Sequence, residues 1–156
     1  MKLKNLLYMF ALIVLPLTFT ACSSDDDEEN THTDASALVS GTFTGSIYDS
    51  SDNEKASDVI VTIAKSDVEN VQASKIVITS ASLNMNLVAD YNVAKAGADR
   101  FVFMSGGNTP KYRYCGGELV GDDLTFYVTL NSKYQYNFNV AAKNKFTIKC
   151  KKVAAK

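Results

Sequence analysis

Histidine occurs once in this 156-residue chain, as His32, and tryptophan is absent. Serine- and cysteine-based nucleophilic catalysis relies on a histidine positioned by the fold, whereas His32 sits in a polar, acidic stretch. The same scarcity excludes a histidine cage for a metal. Phosphate-cradling loops of the GxxxxGK or GxGxxG form do not occur. No apolar run exceeds the ten residues Leu6–Leu15, half of the roughly 20 that a membrane-spanning helix needs. A basic excess is missing as well: the net charge is −1, and nucleic-acid binding requires a clustered basic face. These absences lead to the expectation of a non-enzymatic protein with no cofactor, no metal and no nucleic-acid partner.

The small net charge conceals an asymmetry. Residues 1–36 carry a balance of −4, and the remainder carries +3. At the extreme N-terminus Lys2 and Lys4 precede the run Leu6–Leu15, and Pro16 and small or polar residues follow up to Ala21. A basic segment, a short apolar segment and small residues make a secretory signal peptide over residues 1–21. Phe19-Thr20-Ala21-Cys22 resembles the bacterial lipobox, with Phe19 where leucine is usual. The resemblance implies that Cys22 is the lipid attachment site, with palmitate-type chains each contributing about 0.8 kcal/mol per buried CH₂. The protein would then meet a membrane through an N-terminal lipid anchor.

Ser23, Ser24, Asp25, Asp26, Asp27, Glu28 and Glu29 follow without an apolar residue. Such a run repels itself and is expected to be an extended tether, spanning residues 22–36 with the acylated cysteine. An acidic run directly after the acylated cysteine also resembles the export signal of Bacteroidota lipoproteins. That likeness implies a lipid-anchored outer-membrane protein displayed at the cell surface, with attachment facing the periplasm as the alternative.

From residue 37 to 156 the pattern turns to β. Leu124, Phe126, Val128 and Leu130 alternate with Thr125, Tyr127 and Thr129. Tyr134, Tyr136, Phe138 and Val140 alternate with Gln135, Asn137 and Asn139, and Phe146, Ile148 and Cys150 with Lys145, Thr147 and Lys149. Period-two alternation places one set of side chains inside and the other outside. Further strands are expected over Gly41–Tyr48, Val59–Lys65, Lys75–Ser80, Leu83–Val93 with a break near Ala89-Asp90, Arg100–Ser105 and Lys111–Leu119. Asp49–Ser57 reads as a polar loop, and only Ser66–Gln72 as a possible helical turn. Many short strands with short connections predict an all-β fold: an antiparallel up-and-down β-barrel of about eight strands, with a β-sandwich as the alternative.

Gly41-Thr42-Phe43-Thr44-Gly45 at the first strand, together with Gly116-Gly117-Glu118-Leu119 and the later strand-turn-strand run, resembles the calycin-like (lipocalin-like) β-barrel lipoproteins of gut Bacteroidota. The resemblance spans about residues 39–152. Lipocalins proper carry Gly-x-Trp where this chain has Phe43. The family implies a barrel at the cell surface and no defined activity.

Binding is therefore the function to look for. Tyr112, Tyr114 and Tyr127 are candidate contacts for a ligand or partner, within a tyrosine-rich C-terminal half that also holds Tyr134 and Tyr136. Exposed tyrosine stacks on sugars and anchors protein surfaces. An eight-stranded barrel is filled by side chains or holds one small ligand, and the bulky inward residues favour filling. Asp49-Ser50-Ser51-Asp52-Asn53-Glu54 is rich in oxygen but lacks the spacing and central glycine of a calcium loop, which favours a solvated hairpin loop. Asp122-Asp123 falls at a turn. Cys115 and Cys150, on strands separated by further strands, are expected as free thiols. The resulting expectation is a surface lipoprotein that binds a small apolar molecule or a glycan; the alternative is a structural or accessory interaction protein of an outer-membrane complex.

Overall fold

The alternating runs become strands that curl into one sheet. The computed structural model describes residues 34–67, 73–104, 116–131, 135–138 and 144–154. In them are a short helix, α1 (Ala35–Leu38), and strands β1 (Gly41–Tyr48), β2 (Glu54–Lys65), β3 (Ala73–Ser80), β4 (Met85–Lys95), β5 (Arg100–Met104), β6 (Gly116–Val120), β7 (Asp123–Leu130), β8 (Tyr136–Asn137) and β9 (Lys145–Lys152). Every pairing is antiparallel. Each strand from β1 to β7 pairs with the next, and β9 lies between β7 and β1. The sheet is therefore a closed eight-stranded barrel, which settles the choice against a sandwich.

The two-residue strand β8 is an appendage. The β6 ladder on β7 ends at Gly116 opposite Tyr127, and β8 takes the edge left beyond it, pairing with Thr129 and Leu130. The long alternating run expected at 134–140 thus contributes only Tyr136–Asn137 to the sheet among the described residues. The third run, β9, occupies the place beside β7 that sequence order would assign to the second. It can do so because it pairs on both sides, through Lys145–Lys151 with β7 and through Thr147–Lys152 with β1.

Other boundaries also moved. β2 starts at Glu54, inside the expected loop, because two register shifts against β1 hide its alternation: Gly45 faces Val59, Ile47 faces Ala56, and Tyr48 faces Glu54. Ser57 and Asp58 together oppose Ser46, so β2 bulges there and both side chains stay exposed. β4 runs unbroken through Ala89 and Asp90, which pair with Ile76 and Lys75. Ser66 and Asp67 are not helical, and positions 68–72 lie outside the described residues.

Two glycines of the family-like motifs have a steric reason. A Cβ on Gly45 would fall on the carbonyl oxygen of Lys149 and 2.7 Å from the Cα of Cys150, so β1 and β9 close the barrel only across a bare backbone. Gly116 has φ +132°, which disfavours a side chain, and a Cβ there would meet the Phe103 carbonyl. The β6–β7 register runs without a shift at Gly116 and Gly117.

Inside, Phe43, Ile47, Val61, Ile76, Ile78, Phe126, Val128 and Ile148 are wholly buried. Each such side chain contributes about 1.5–3 kcal/mol. Tyr91, Phe103, Phe126 and Phe138 form an aromatic cluster among them, with ring centroids 5.2–6.0 Å apart. The described interior is thus packed with side chains. Helix α1 covers one end, burying Ala35, Ser36 and Val39. Asp34 starts it: its carboxylate accepts from the Ser36 amide at 3.0 Å and the Ser36 hydroxyl at 2.6 Å, and pairs with Lys65 at 2.9 Å. The chain enters the barrel at this helix end. The β1–β2 and β3–β4 connections and β8 lie at the opposite, far end.

Candidate functional site

Two turns at the far end frame a cleft. The first joins β3 to β4. Asp58, displaced outward by the β2 bulge, accepts the Ser80 hydroxyl at 2.6 Å, the Ser82 amide at 2.8 Å and the Ser82 hydroxyl at 2.7 Å. Ser80 Oγ in turn accepts the Leu83 amide at 3.3 Å, and Asn84 takes the left-handed conformation (φ 48°) that closes the turn. The second frames β8: the Asn131 amide donates to the Gln135 carbonyl at 2.8 Å and the Gln135 amide to Asn131 Oδ1 at 3.0 Å. Tyr136 packs edge-on against Phe146, ring centroids 5.3 Å apart.

Between these turns lies a cleft of about 560 Å³ lined by Leu83, Asn84, Met85, Asn86, Leu87, Gln135 and Tyr136. That volume is in the range of small-ligand sites. Met85 and Leu87 belong to the core and give an apolar floor. The side-chain amides of Asn84, Asn86 and Gln135 make no hydrogen bond to a described residue, so three two-sided donor–acceptor groups stand at the rim. Burial raises the Tyr136 hydroxyl above its ordinary pKa, with Lys55 acting weakly the other way, so the phenol stays neutral and able to donate. One aromatic ring, three amides and an apolar floor can offer stacking, donor–acceptor and apolar contacts. They supply neither a nucleophile nor a base.

The other sequence candidates lie elsewhere. Tyr127 is on the outer face of β7, half-buried, with the Lys145 ammonium 3.7 Å from its ring centroid; it does not line the cleft. Tyr112 and Tyr114 are outside the described residues, as are Cys22, Ser23, Ser24, Asp25, Asp26, Asp27, Glu28, Glu29 and Cys115. Cys150 is a free, buried thiol facing the interior, and burial pushes it up to about 12. The Asp122-Asp123 pair is split: the Asp122 carbonyl accepts from the Lys152 amide, and Asp123 meets Lys151 at 3.3 Å.

The oxygen-rich loop after β1 spends its carboxylate on itself. Asp49 accepts from the amides of Ser51 (2.9 Å) and Asn53 (3.0 Å) and from the Asn53 side chain, and meets Lys55 at 3.1 Å. It is a hairpin loop organised by one aspartate. The Asn53 amide and then Lys55 hold Asp49 far below the usual carboxylate range. The hydroxyls of Ser80 and then Ser82 do the same for Asp58, and Ser36 and then Lys65 hold Asp34 at about 2.

These shifts carry a pH dependence of stability. An unfolded aspartate takes up its proton near pH 3.9, so as the pH falls below that value the unfolded chain binds protons that the folded barrel refuses. The stability these carboxylates contribute is present above pH ~4 and is lost as the pH drops toward their folded values. Thermal midpoints should therefore be flat from about pH 7 to 5 and fall steeply between about 4 and 2. Asp58→Asn should lower the neutral-pH midpoint and flatten the acid slope; an unchanged acid slope would show that Asp58 is not coupled to the β3–β4 turn.

No protein-family profile, curated protein or solved structure matches the chain. The closed antiparallel barrel is the architecture implied by the calycin resemblance. Sequence reasoning missed Asn84, Asn86 and Gln135 as site residues. The available signal was local: Asn84-Met85-Asn86 and Gln135-Tyr136 each set amide side chains beside core residues at a strand end.

Proposed function

We propose that this protein is a non-catalytic, lipid-anchored binding protein of the outer membrane, displayed at the cell surface, whose far-end cleft takes a neutral glycan. The observation that carries the glycan reading is the cleft itself, where Tyr136 stands among the amides of Asn84, Asn86 and Gln135 over Met85 and Leu87. Sugars present hydroxyls to amides and apolar C–H faces to an aromatic ring. The anchor rests on Cys22 after Ala21, and surface display on the acidic run from Asp25 to Glu29. The absence of catalysis is supported by the roles of Asp34, Asp49 and Asp58. Strongly shifted carboxylates often mark catalytic sites, but each of these three is engaged in capping a helix or turn.

The test is a panel of neutral oligosaccharides measured by thermal shift and calorimetry. A bound sugar at about 100 times its Kd should stabilise the chain by about 2.7 kcal/mol. Tyr136→Ala should weaken that binding by about 1 kcal/mol or more, the cost of truncating an aromatic contact at a binding surface, with the barrel still folded. Failure of every oligosaccharide to shift the midpoint would refute the glycan reading. The accessory interaction reading would then gain, favoured by Ile60 and Val88, which stand exposed on the outer faces of β2 and β4.

A further inference from the structure

Strand β9 is unusual on its outer face. Lys145, Thr147, Lys149 and Lys151 point outward in alternation, while Ile148 and Cys150 point in. At about 3.3 Å per residue the lysines fall at intervals of roughly 7 and 13 Å along one line. Lysines on an edge strand would be accounted for by blocking edge-to-edge association. That account fails here, because β9 is paired on both sides, with β1 and β7.

The surroundings of this line are polar. From β1 come Thr44, Ser46 and Tyr48, and from β7 come Thr125 and Tyr127, all on the outer side of the sheet. Two tyrosine rings steady the ammonium groups: Lys145 Nζ lies 3.7 Å from the Tyr127 centroid and Lys149 Nζ 4.9 Å from that of Tyr48. Three acids sit near the stripe, of which Glu54 accepts the Tyr48 hydroxyl at 3.4 Å and the other two meet lysines. Asp52 is 4.0 Å from Lys149, with both side chains more than half exposed, and Asp123 is 3.3 Å from Lys151. These exposed pairs contribute little to stability, so a polyanion contacting several lysines at once can replace them.

We infer that the outer face of β9, with its flanks on β1 and β7, is a binding surface for a linear acidic polysaccharide, distinct from the cleft. Charge complementarity requires a polyanion with charges repeated along a line. The hydroxyls of Thr44, Ser46, Thr125 and Thr147 between the lysines fit a partner that itself carries hydroxyls between its charges. A membrane surface is the poorer fit, because no aliphatic side chain stands outward among these residues of β1, β7 and β9 to enter a bilayer.

Affinity electrophoresis of the full chain in mild detergent, through gels containing polygalacturonate, tests the assignment. The chain should be retarded at about 50 mM salt and released at about 500 mM, where screening shortens to a few ångströms. Fully methyl-esterified polygalacturonate, the same polymer without its charges, should give no retardation. Lys149→Gln with Lys151→Gln should weaken binding about tenfold or more, as expected when two charge contacts are lost. Lys75→Gln, on the outer face of β3, should not change it. Circular dichroism confirms that each variant is folded. Equal retardation by the esterified polymer, an equal loss in Lys75→Gln, or no retardation at all would overturn the inference. So would indifference to the polymer combined with migration on phosphatidylglycerol micelles, which would assign the stripe to a lipid surface. None of these outcomes bears on Tyr136, so this surface and the cleft stand or fall separately.

Discussion

Phe126→Ala is expected to lower the stability of the barrel by about 3–5 kcal/mol, the cost of removing a fully buried phenyl group and leaving a cavity. Phe126 is wholly buried, and its ring meets those of Tyr91 and Phe103 at 5.4 Å and Phe138 at 6.0 Å. No neighbour can fill the space easily, because the surrounding residues belong to different strands held in fixed register. Single domains have only about 5–15 kcal/mol in total, so this one change takes a large share. Urea denaturation followed by circular dichroism measures it, with the slope m confirming that both proteins unfold in one step. The effect should reach the cleft: Phe138 docks β8 onto Phe126, and β8 carries Tyr136. Oligosaccharide binding should weaken in Phe126→Ala even at temperatures where the barrel remains folded. A loss below about 1 kcal/mol would show that the aromatic cluster is loosely packed, against the geometry.

Cys22→Ala is expected to abolish membrane anchoring outright. The thiol is the acylation point in the proposed reading, and no other side chain near residue 22 can form the thioether. With several acyl chains at about 0.8 kcal/mol per CH₂, attachment is effectively permanent in the parent and absent in the variant. Metabolic fatty-acid labelling and detergent partitioning decide it, and a labelled variant would refute the assignment. Replacing Asp25, Asp26, Asp27, Glu28 and Glu29 by serine separates address from anchor. The lipid should stay, while protease added to whole cells should cleave the protein less.

The sequence reading of the barrel worked where the physics is local. In β7 and β9 every second residue faces inward, so Leu124, Phe126, Val128, Ile148 and Cys150 could be assigned to the interior from alternation alone. In β2 the same reasoning found only the second half. Two bulges shift the inward set there, and a bulged strand loses its period in the sequence while keeping its pairing. Helix α1 has a single turn, too short to show a helical period. Its stability comes from Ala35 and Val39 seated in the barrel end and from the contact of Asp34 with Lys65, thirty-one residues away.

By itself, then, the sequence determined that this is an all-β chain, that its strands are antiparallel, and which faces turn inward. Each rests on residues adjacent in the chain or two apart. Only the tertiary structure decided that β9 rather than the 134–140 run fills the place beside β7, that Gly45 lets the barrel close, and that the interior is packed. It also placed the cleft. Asp58 braces a turn that begins twenty-two residues later, and Gln135 and Tyr136 face Asn84 and Asn86 across about fifty residues of chain. Contacts of that separation are fixed by strand register and closure of the sheet, and a one-residue slip would send every side chain to the opposite face.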